Sequence, residues 1–286
     1  MRPVEVVRPS VPVAAAPGTP SDGPPRGQAR RRRWAAGRLV PPAVVLVGLA
    51  GLWQLVTWAA NIAPTVLPGP ILVARSTFDD RANLAPAVWV TTQETLLGLV
   101  VAVVVAVVIA VVIDWSRRAR AGLYPLIVGS QTLPIITLAP LVVIWFGFGM
   151  LPKVLLVAFF SFFPITVGLV QGLAAADRDA VNLARTLRAS RLQLLLKVRM
   201  PGALPQLFTG LKISVTYAYT SAVVAEFVGA TKGIGVYMTS VSTAAPVRTD
   251  LELGATFVVA VLTVALFLLV GLLQRLAMPW LPPSGT

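Results

Sequence analysis

Long apolar runs separated by short polar segments fill the chain from about residue 42 to residue 276. A transmembrane α-helix needs about 20 mostly apolar residues, and each run is close to that length or longer. Lipid offers no partner to backbone polar groups, so even the Val-rich second run is predicted to be helical. We predict an all-α polytopic membrane protein with six transmembrane helices, over residues 42–62, 88–113, 123–148, 154–173, 207–228 and 253–276.

The longest polar segment between two apolar runs covers residues 174–207. Its apolar residues recur at mostly three- and four-residue steps, which predicts a short amphipathic helix on the membrane surface or in the groove of a partner. Pro201 and Pro205 are predicted to end this helix and to begin the fifth span. Six basic residues keep the segment out of the hydrocarbon core, namely Arg178, Arg185, Arg188, Arg191, Lys197 and Arg199.

The two ends of the chain differ from the apolar region between them. Residues 1–40 are rich in Pro, Ala, Gly and Arg and are predicted to form a disordered, basic cytoplasmic tail, with an arginine cluster at residues 30–33. Residues 41–280 form the predicted transmembrane domain, and residues 281–286 form a short tail. The first apolar run also suits a signal peptide, but its length and the lack of a clean cleavage site favour an uncleaved anchor.

Composition supports a membrane protein and excludes several kinds of chemistry. With 56% hydrophobic and 12% charged residues and a mean hydropathy of +0.81, the 286 residues hold too few polar groups to cover a soluble globule. The net charge of +13 comes from residues that flank the spans, so lipid headgroups are the expected partner and nucleic acid is not. The absence of Cys and His excludes disulfides, thiolate chemistry and imidazole metal ligands.

Charge also predicts the orientation of the spans. If both termini are cytoplasmic, most of the 24 Lys and Arg residues lie at the cytoplasmic face, as the positive-inside rule requires. Lys153 is then expected in a short outer turn. Residues 231–252 form an outer connection that includes a partly re-entrant helix.

Two acidic residues fall at outer-leaflet depth within predicted spans. Glu94 lies about two turns into the second span, and Glu226 lies near the outer end of the fifth, beside a glycine turn that includes Gly229. A carboxylate at this depth is costly unless it is paired, hydrated or protonated, so both are candidates for a gate or pathway. A hydrogen bond between helices is the alternative for Glu94.

The residues 184–190 (Ala-Arg-Thr-Leu-Arg-Ala-Ser), with Pro201-Gly-Ala-Leu-Pro205, resemble the cytoplasmic loop of ATP-binding cassette (ABC) importer permeases. The resemblance implies coupling helices that dock into a groove of a separate ATPase subunit. The alternative is a basic loop that only sets topology. The implied coupling residues are Asn182, Ala184, Arg185, Thr186, Leu187, Arg188, Ala189, Ser190, Pro201 and Pro205.

Three positions depart from the pattern of that family. Asn182 stands where the family has Glu, Leu183 where it has the first Ala, and Arg188 where it has Gly. A turn with positive φ at residue 188 would cost a non-glycine residue about 1 kcal/mol.

The third predicted span contains three prolines, and such interruptions are tolerated where the backbone faces protein or a water-filled cavity. Its residues 131–149, together with residues 67–72 and 223–235, resemble the nitrate, sulfonate, taurine and thiamine-precursor branch of these permeases. Aromatic residues of the third and fourth spans suit either a route for a planar solute or an interface belt, namely Trp145, Phe146, Phe148, Phe159, Phe160, Phe162 and Phe163. The pathway or gate candidates are Glu94, Gln131, Pro134, Pro140, Trp145, Glu226 and Gly229.

The resemblance implies a permease subunit that moves a small organic solute inward across the cytoplasmic membrane. A thiamine pyrimidine precursor or a sulfonate- or nitrate-like solute is expected, and riboflavin stays open. The implied partners are a second, identical permease, an ABC ATPase and an extracytoplasmic solute-binding protein. No phosphate-loop motif occurs, so ATP is expected on the ATPase, with no cofactor, metal or catalytic residue in this chain. The alternative is an ion- or proton-coupled secondary carrier, for which the acids are shallow and sparse.

Overall fold

The computed structural model describes residues 40–279. The predicted tails, apart from Val40, lie outside the described residues, and so does the arginine cluster at residues 30–33. The chain divides into two units between Leu52 and Trp53, within the first helix. The description below concerns the unit that begins at Trp53.

Residues 40–279 are almost entirely helical and contain no strand. A π-helical turn, Leu195–Arg199, joins the short helix Arg191–Leu194 to the long helix Met200–Gly229, so that Arg191–Gly229 is one continuous helix. The helices are α1 (Val40–Ala59), α2 (Pro70–Asp79), α3 (Arg81–Trp115), α4 (Arg117–Ser130), α5 (Ile135–Phe146), α6 (Met150–Ala174), α7 (Arg178–Thr186), α8 (Arg191–Leu194), α9 (Met200–Gly229), α10 (Ile234–Ser242) and α11 (Thr249–Ala277).

Three of these helices, α3, α6 and α11, are long and apolar enough to cross a membrane. Two bent pairs, α4 with α5 and Arg191–Gly229 with α10, raise the number to five if each pair is one span. The first helix has only a shorter apolar part in this part of the chain, Val44–Ala59. The all-α membrane fold is thus confirmed, whereas length and composition do not establish the predicted number of six.

The third predicted span is bent rather than straight. Helices α4 and α5 meet at an angle of 103° across residues 131–134. Pro125 and Pro140 lie inside the two helices, whereas Pro134 precedes α5 with an extended backbone (φ −69°, ψ 129°). The residue before a proline disfavours the helical conformation, which accounts for the break just before Pro134.

Small residues bring α3 against α6. Gly98, Ala102, Ala106 and Ala110 recur every fourth residue, lie on one face of α3 and are buried. A Cβ added to Gly98 would overlap the Val157 side chain of α6. Most of the intervening valines are exposed, although Val103 and Val107 are half-buried against the core. The small residues therefore mark the interior face of this helix.

Helices α6 and α9 approach even more closely, through glycines on both sides. A Cβ on Gly168 would lie 2.5 Å from the carbonyl oxygen of Gln206, and one on Gly172 would lie 2.9 Å from Cα of Ala203. Gly210 is equally tight against the backbone of Pro164 and Ile165. Such backbone contact leaves little room for sliding, so α6 and α9 form a rigid pair.

Pro201 does not end the loop helix as predicted. It lies in the first turn of α9, directly after the π-helical turn, and Pro205 lies inside the same helix. Proline removes an intrahelical hydrogen bond and crowds the preceding turn, and a π turn is one way to accommodate it without a break. The polar segment therefore continues into the fifth predicted span as a single helix.

Candidate functional site

Helix α7 presents an exposed apolar pair at one end of the helical bundle. Val181 anchors the helix inside, with 7% of its surface exposed, whereas Leu183 and Leu187 are 62% and 74% exposed. Asp177 caps the helix by accepting from the backbone N–H of Asp179 at 2.9 Å. Exposed leucines beside arginines on a short helix are typical of a protein-docking surface.

The turn after α7 has the backbone conformation that a glycine would favour. Arg188 has φ of +57°, and its N–H donates to the carbonyl of Arg185 at 2.9 Å. Ser190 then starts the next helix with a capping box, in which its hydroxyl accepts from the N–H of Gln193 and the Gln193 side chain accepts from the N–H of Ser190. These bonds define the turn on both sides.

The predicted coupling residues lie together in space. Asn182, Arg185, Thr186, Arg188 and Ser190 are exposed, and Ala184 and Ala189 are half-buried. The Thr186 hydroxyl donates to the carbonyl of Asn182 at 3.0 Å and so supports the last turn of α7. Pro201 and Pro205, in contrast, lie in the long helix that follows.

A neutral cavity of about 250 Å³, with a mainly apolar surface and several polar side chains, lies between α6, α9 and the break before α5. It contains one of the predicted pathway residues, Gln131, whose side-chain nitrogen is buried without a hydrogen-bond acceptor in residues 40–279. No residue lining it is charged. Phe163, one of the aromatic residues considered for a planar solute, also lines it. Sequence reasoning missed the rest of its polar and aromatic lining, which includes Gln171, Gln206, Thr209 and Tyr217.

Glu226 connects three helices at the opposite end of α9. Its carboxylate accepts from the Thr91 hydroxyl at 2.6 Å and from the N–H of Gly235 at 2.6 Å. Thr91 in turn accepts from the N–H of Ile234 at 2.8 Å. Gly233, at φ +134°, has no room for a Cβ because the carboxylate occupies that space. The predicted gate residue thus holds the start of α10 against α3 and α9.

Glu94 is paired with a lysine that sequence reasoning placed in an outer turn. Lys153 lies in the first turns of α6, where it is 6% exposed and donates to Glu94, which is 1% exposed. The prediction that Lys153 lies in an outer turn is wrong. Burial of its ammonium group is possible because the carboxylate of Glu94 pairs with it. Glu94 forms a link between α3 and α6, which agrees with the alternative that we considered for it.

The remaining pathway candidates lie apart from this network. Pro134 and Pro140 shape α5, and Trp145 is exposed near its end. Gly229 ends α9, where an added Cβ would press on Val143 and Phe148. The candidates therefore divide between the helix break and the buried network around Glu94 and Glu226 and do not form one site. Among the described residues, no group of acidic side chains could hold a metal ion.

The fold and these surfaces define a polytopic all-α membrane protein with exposed leucines and arginines on α7 at one end and a neutral cavity between its helices. Residues 98–281 match the family described as "Binding-protein-dependent transport system inner membrane component". The chain belongs to this family and is a permease subunit of ABC importers.

Proteins similar to this chain are named for several different solutes. The chain is 33% identical over 230 residues to a probable ABC transporter permease of Haemophilus influenzae, covering 80% of this chain and 93% of the relative. It is 30% identical over 247 residues to the formylaminopyrimidine transport permease of Halalkalibacterium halodurans, covering 84% and 95%. It is 34% identical over 244 residues to the riboflavin transport permease of Chloroflexus aurantiacus, covering 83% and 88%.

A solved structure supports the fold. A chain from the crystal structure of an amino acid ABC transporter aligns with a TM-score of 0.58 at 16% identity, over 70% of this chain and 96% of that one.

Proposed function

We propose that two copies of this chain form the pathway of an importer, driven by a separate ATPase that docks on α7 and supplied by a binding protein at the opposite end. The observation that carries the proposal is the continuous helix Arg191–Gly229, which begins beside the docking surface and ends at Glu226. At about 1.5 Å per residue, this helix is about 58 Å long and spans the bilayer.

The mechanism follows from the rigidity of that helix. Because α9 is locked to α6 by backbone contact at Gly168, Gly172 and Gly210, a displacement of α7 is carried along both helices. Closure of the ATPase pair would push the docking surface and tilt the α6–α9 pair as one body. The cavity at Gln131 would then open alternately to the two sides of the membrane.

The proposed orientation places the docking surface in the cytoplasm, with both termini on that side. Arg117, Arg118 and Arg120 lie at the same end of the bundle as α7, next to the end of α3. This charge distribution is the one expected of cytoplasmic loops. The buried network around Glu226 then faces the binding protein.

The substitution Leu187→Asp tests the proposed function. It places a carboxylate in a contact that we propose to be apolar, which should cost several kcal/mol of binding. We expect normal membrane insertion but poor co-purification of the ATPase and loss of binding-protein-stimulated ATP hydrolysis. Leu187→Met, which keeps an apolar side chain, is the control and should retain both ATPase co-purification and stimulated hydrolysis.

Full stimulated hydrolysis with Leu187→Asp would contradict the proposal and favour a loop that only sets topology. Transport that persists without any ATPase would favour a secondary carrier.

For the solute, we propose a neutral, planar, hydrogen-bonding molecule such as a pyrimidine precursor of thiamine. The cavity offers amides, hydroxyls and two aromatic rings on a mainly apolar surface but no cation, so it suits such a molecule better than a sulfonate or nitrate. The relative named for formylaminopyrimidine supports this class.

Uptake measurements separate the solute classes. The complete importer should take up labelled formylaminopyrimidine, and excess unlabelled taurine should not compete. Gln131→Leu should lower this uptake without lowering stability, since its side-chain nitrogen has no partner to lose in the described chain. Ser130→Ala is the neighbouring control. Competition by taurine, or unchanged uptake with Gln131→Leu, would contradict the proposed solute and site.

A further inference from the structure

A second cavity, of about 470 Å³, lies at the end of the bundle that carries the docking surface. It forms where α3 ends, α4 begins and α6 ends, and α7 closes it from the side. It is separate from the neutral cavity and shares no residue with it. We call it the arginine cavity, after the five arginines that line it: Arg117, Arg120, Arg178, Arg185 and Arg199.

The charges of the arginine cavity are unbalanced. Its one acidic residue, Asp114, is occupied by Arg199, which donates to both carboxylate oxygens at 2.7 Å. The other four arginines make no ion pair and no side-chain hydrogen bond with residues 40–279. Four cations around one cavity repel each other, and an anion between them would remove that cost.

The floor of the arginine cavity is apolar. Ile113, Leu173 and Val181 contribute to it, and each is at least nine-tenths buried. A site with a cationic rim and an apolar floor suits a ligand that joins an anionic group to carbon. Guanidinium groups match phosphate oxygens with paired hydrogen bonds, so phosphate is the anion that this rim favours.

The positive-inside rule alone does not account for this arrangement. Arg118 belongs to the same basic turn of α4 but does not line the cavity, whereas Arg117 and Arg120 do. Arg178 and Arg185 reach it from α7, which is a separate helix. The four arginines without an ion pair thus converge from two separate helices, α4 and α7, and Arg199 reaches the cavity from the π-helical turn.

We propose that the arginine cavity binds the phosphate group of an anionic ligand, either a lipid headgroup or a free phosphate compound. The bound phosphate bridges α4 to α7 and so fixes the docking helix against the bundle. Coupling would then depend on the anion that occupies this cavity, independently of the solute.

Thermal unfolding of the purified full-length chain in detergent tests the proposal. The probes are phosphatidylglycerol, phosphatidylcholine and inorganic phosphate, each added separately. We expect phosphatidylglycerol to raise the Tm by about 2–4 °C. The double variant Arg117→Gln/Arg120→Gln should lose most of that shift. The matched control is Arg118→Gln/Arg275→Gln, which removes two exposed arginines outside the cavity and should keep it.

The separate probes also distinguish a lipid headgroup from a free phosphate compound as the source of the phosphate. A shift with phosphatidylglycerol alone identifies a lipid headgroup, and an equal shift with inorganic phosphate identifies a free anion. If the Gln pair does not fold, Asn182→Glu tests the same point, because it supplies a carboxylate to the cavity rim and should remove the response. The same loss in the control pair, or no difference between the phosphate probes and phosphatidylcholine, would overturn the proposal. Loss of ATPase binding without any change in the anion response would also overturn it and assign the arginines to a protein contact.

Discussion

The charged side chains at the two ends of the α6–α9 pair differ in burial and in their bonding within the chain. At one end, Glu94, Lys153 and Glu226 are buried and each bonds to a partner in the same chain, and only the second Glu94 oxygen lacks a partner among these three side chains. At the other end, four arginines and two leucines face outward or into a cavity without such partners. Groups that are satisfied internally stabilise one arrangement of helices, whereas unsatisfied groups are available to other molecules. We infer that the end with the buried, bonded groups stabilises the arrangement of the helices and that the end with the exposed groups binds other molecules.

The largest effect is expected from breaking the buried ion pair. Lys153→Met leaves the Glu94 carboxylate buried without its cation and should lower the free energy of unfolding by about 3–5 kcal/mol. Thermal unfolding in detergent is the measurement, with Lys232→Met, at an exposed lysine, as the control. Adding Glu94→Gln should recover part of the loss. Equal stability of the two lysine variants would show that this end does not depend on the pair.

A smaller effect is expected at Glu226. Glu226→Gln turns an amide toward the Thr91 hydroxyl or the Gly235 N–H, so one hydrogen bond is lost, at about 1–3 kcal/mol. We expect lower thermal stability and altered transport as α10 loosens. Glu252→Gln, at an acid whose side chain makes no hydrogen bond in the described residues, is the control. Altered transport at unchanged stability would instead assign Glu226 to a gate.

At the binding end, a single substitution should be stabilising. Arg188→Gly relieves the positive φ of +57° and should raise stability by up to about 1 kcal/mol while keeping or improving coupling. Arg188→Ala removes the same side chain but not the backbone strain, so it should not stabilise. Equal effects of the two variants on the Tm would show that the side chain, and not the turn, matters.

The smallest effect is expected from the basic tail. Removal of residues 1–25, with a new initiating Met and with the arginines at residues 30–33 retained, should leave membrane abundance and uptake unchanged. Quantitative immunoblotting and uptake by the complete importer measure the two. A large drop in uptake at equal abundance would indicate a specific partner for the tail.

Sequence alone could predict the parts of the fold that depend on local pattern. Apolar runs located the long helices, and the period of Val181, Ala184 and Leu187 located α7. The face of α3 that packs closely against α6 also has a signal in the local sequence. This signal is the four-residue repeat of Gly98, Ala102, Ala106 and Ala110.

The rest of the site depends on contacts between distant residues. Lys153 follows a glycine turn and resembles a loop residue, and only its contact with Glu94, 59 residues away, explains its burial. The two cavities combine residues from several helices, so no single segment reveals them. The one available hint was an acid inside one predicted span and a lysine directly before another, since buried ions pair.

Site-specific labelling tests the difference between the two ends most directly, because the chain contains no Cys. Leu187→Cys, at a 74% exposed position, should react with a thiol reagent in the isolated permease and become protected when the ATPase binds. Val181→Cys, at a buried position of the same helix, should react poorly in both states. Arg275→Cys should stay reactive throughout. Unchanged labelling of Leu187→Cys in the assembled complex would contradict the assignment of α7 as the docking helix.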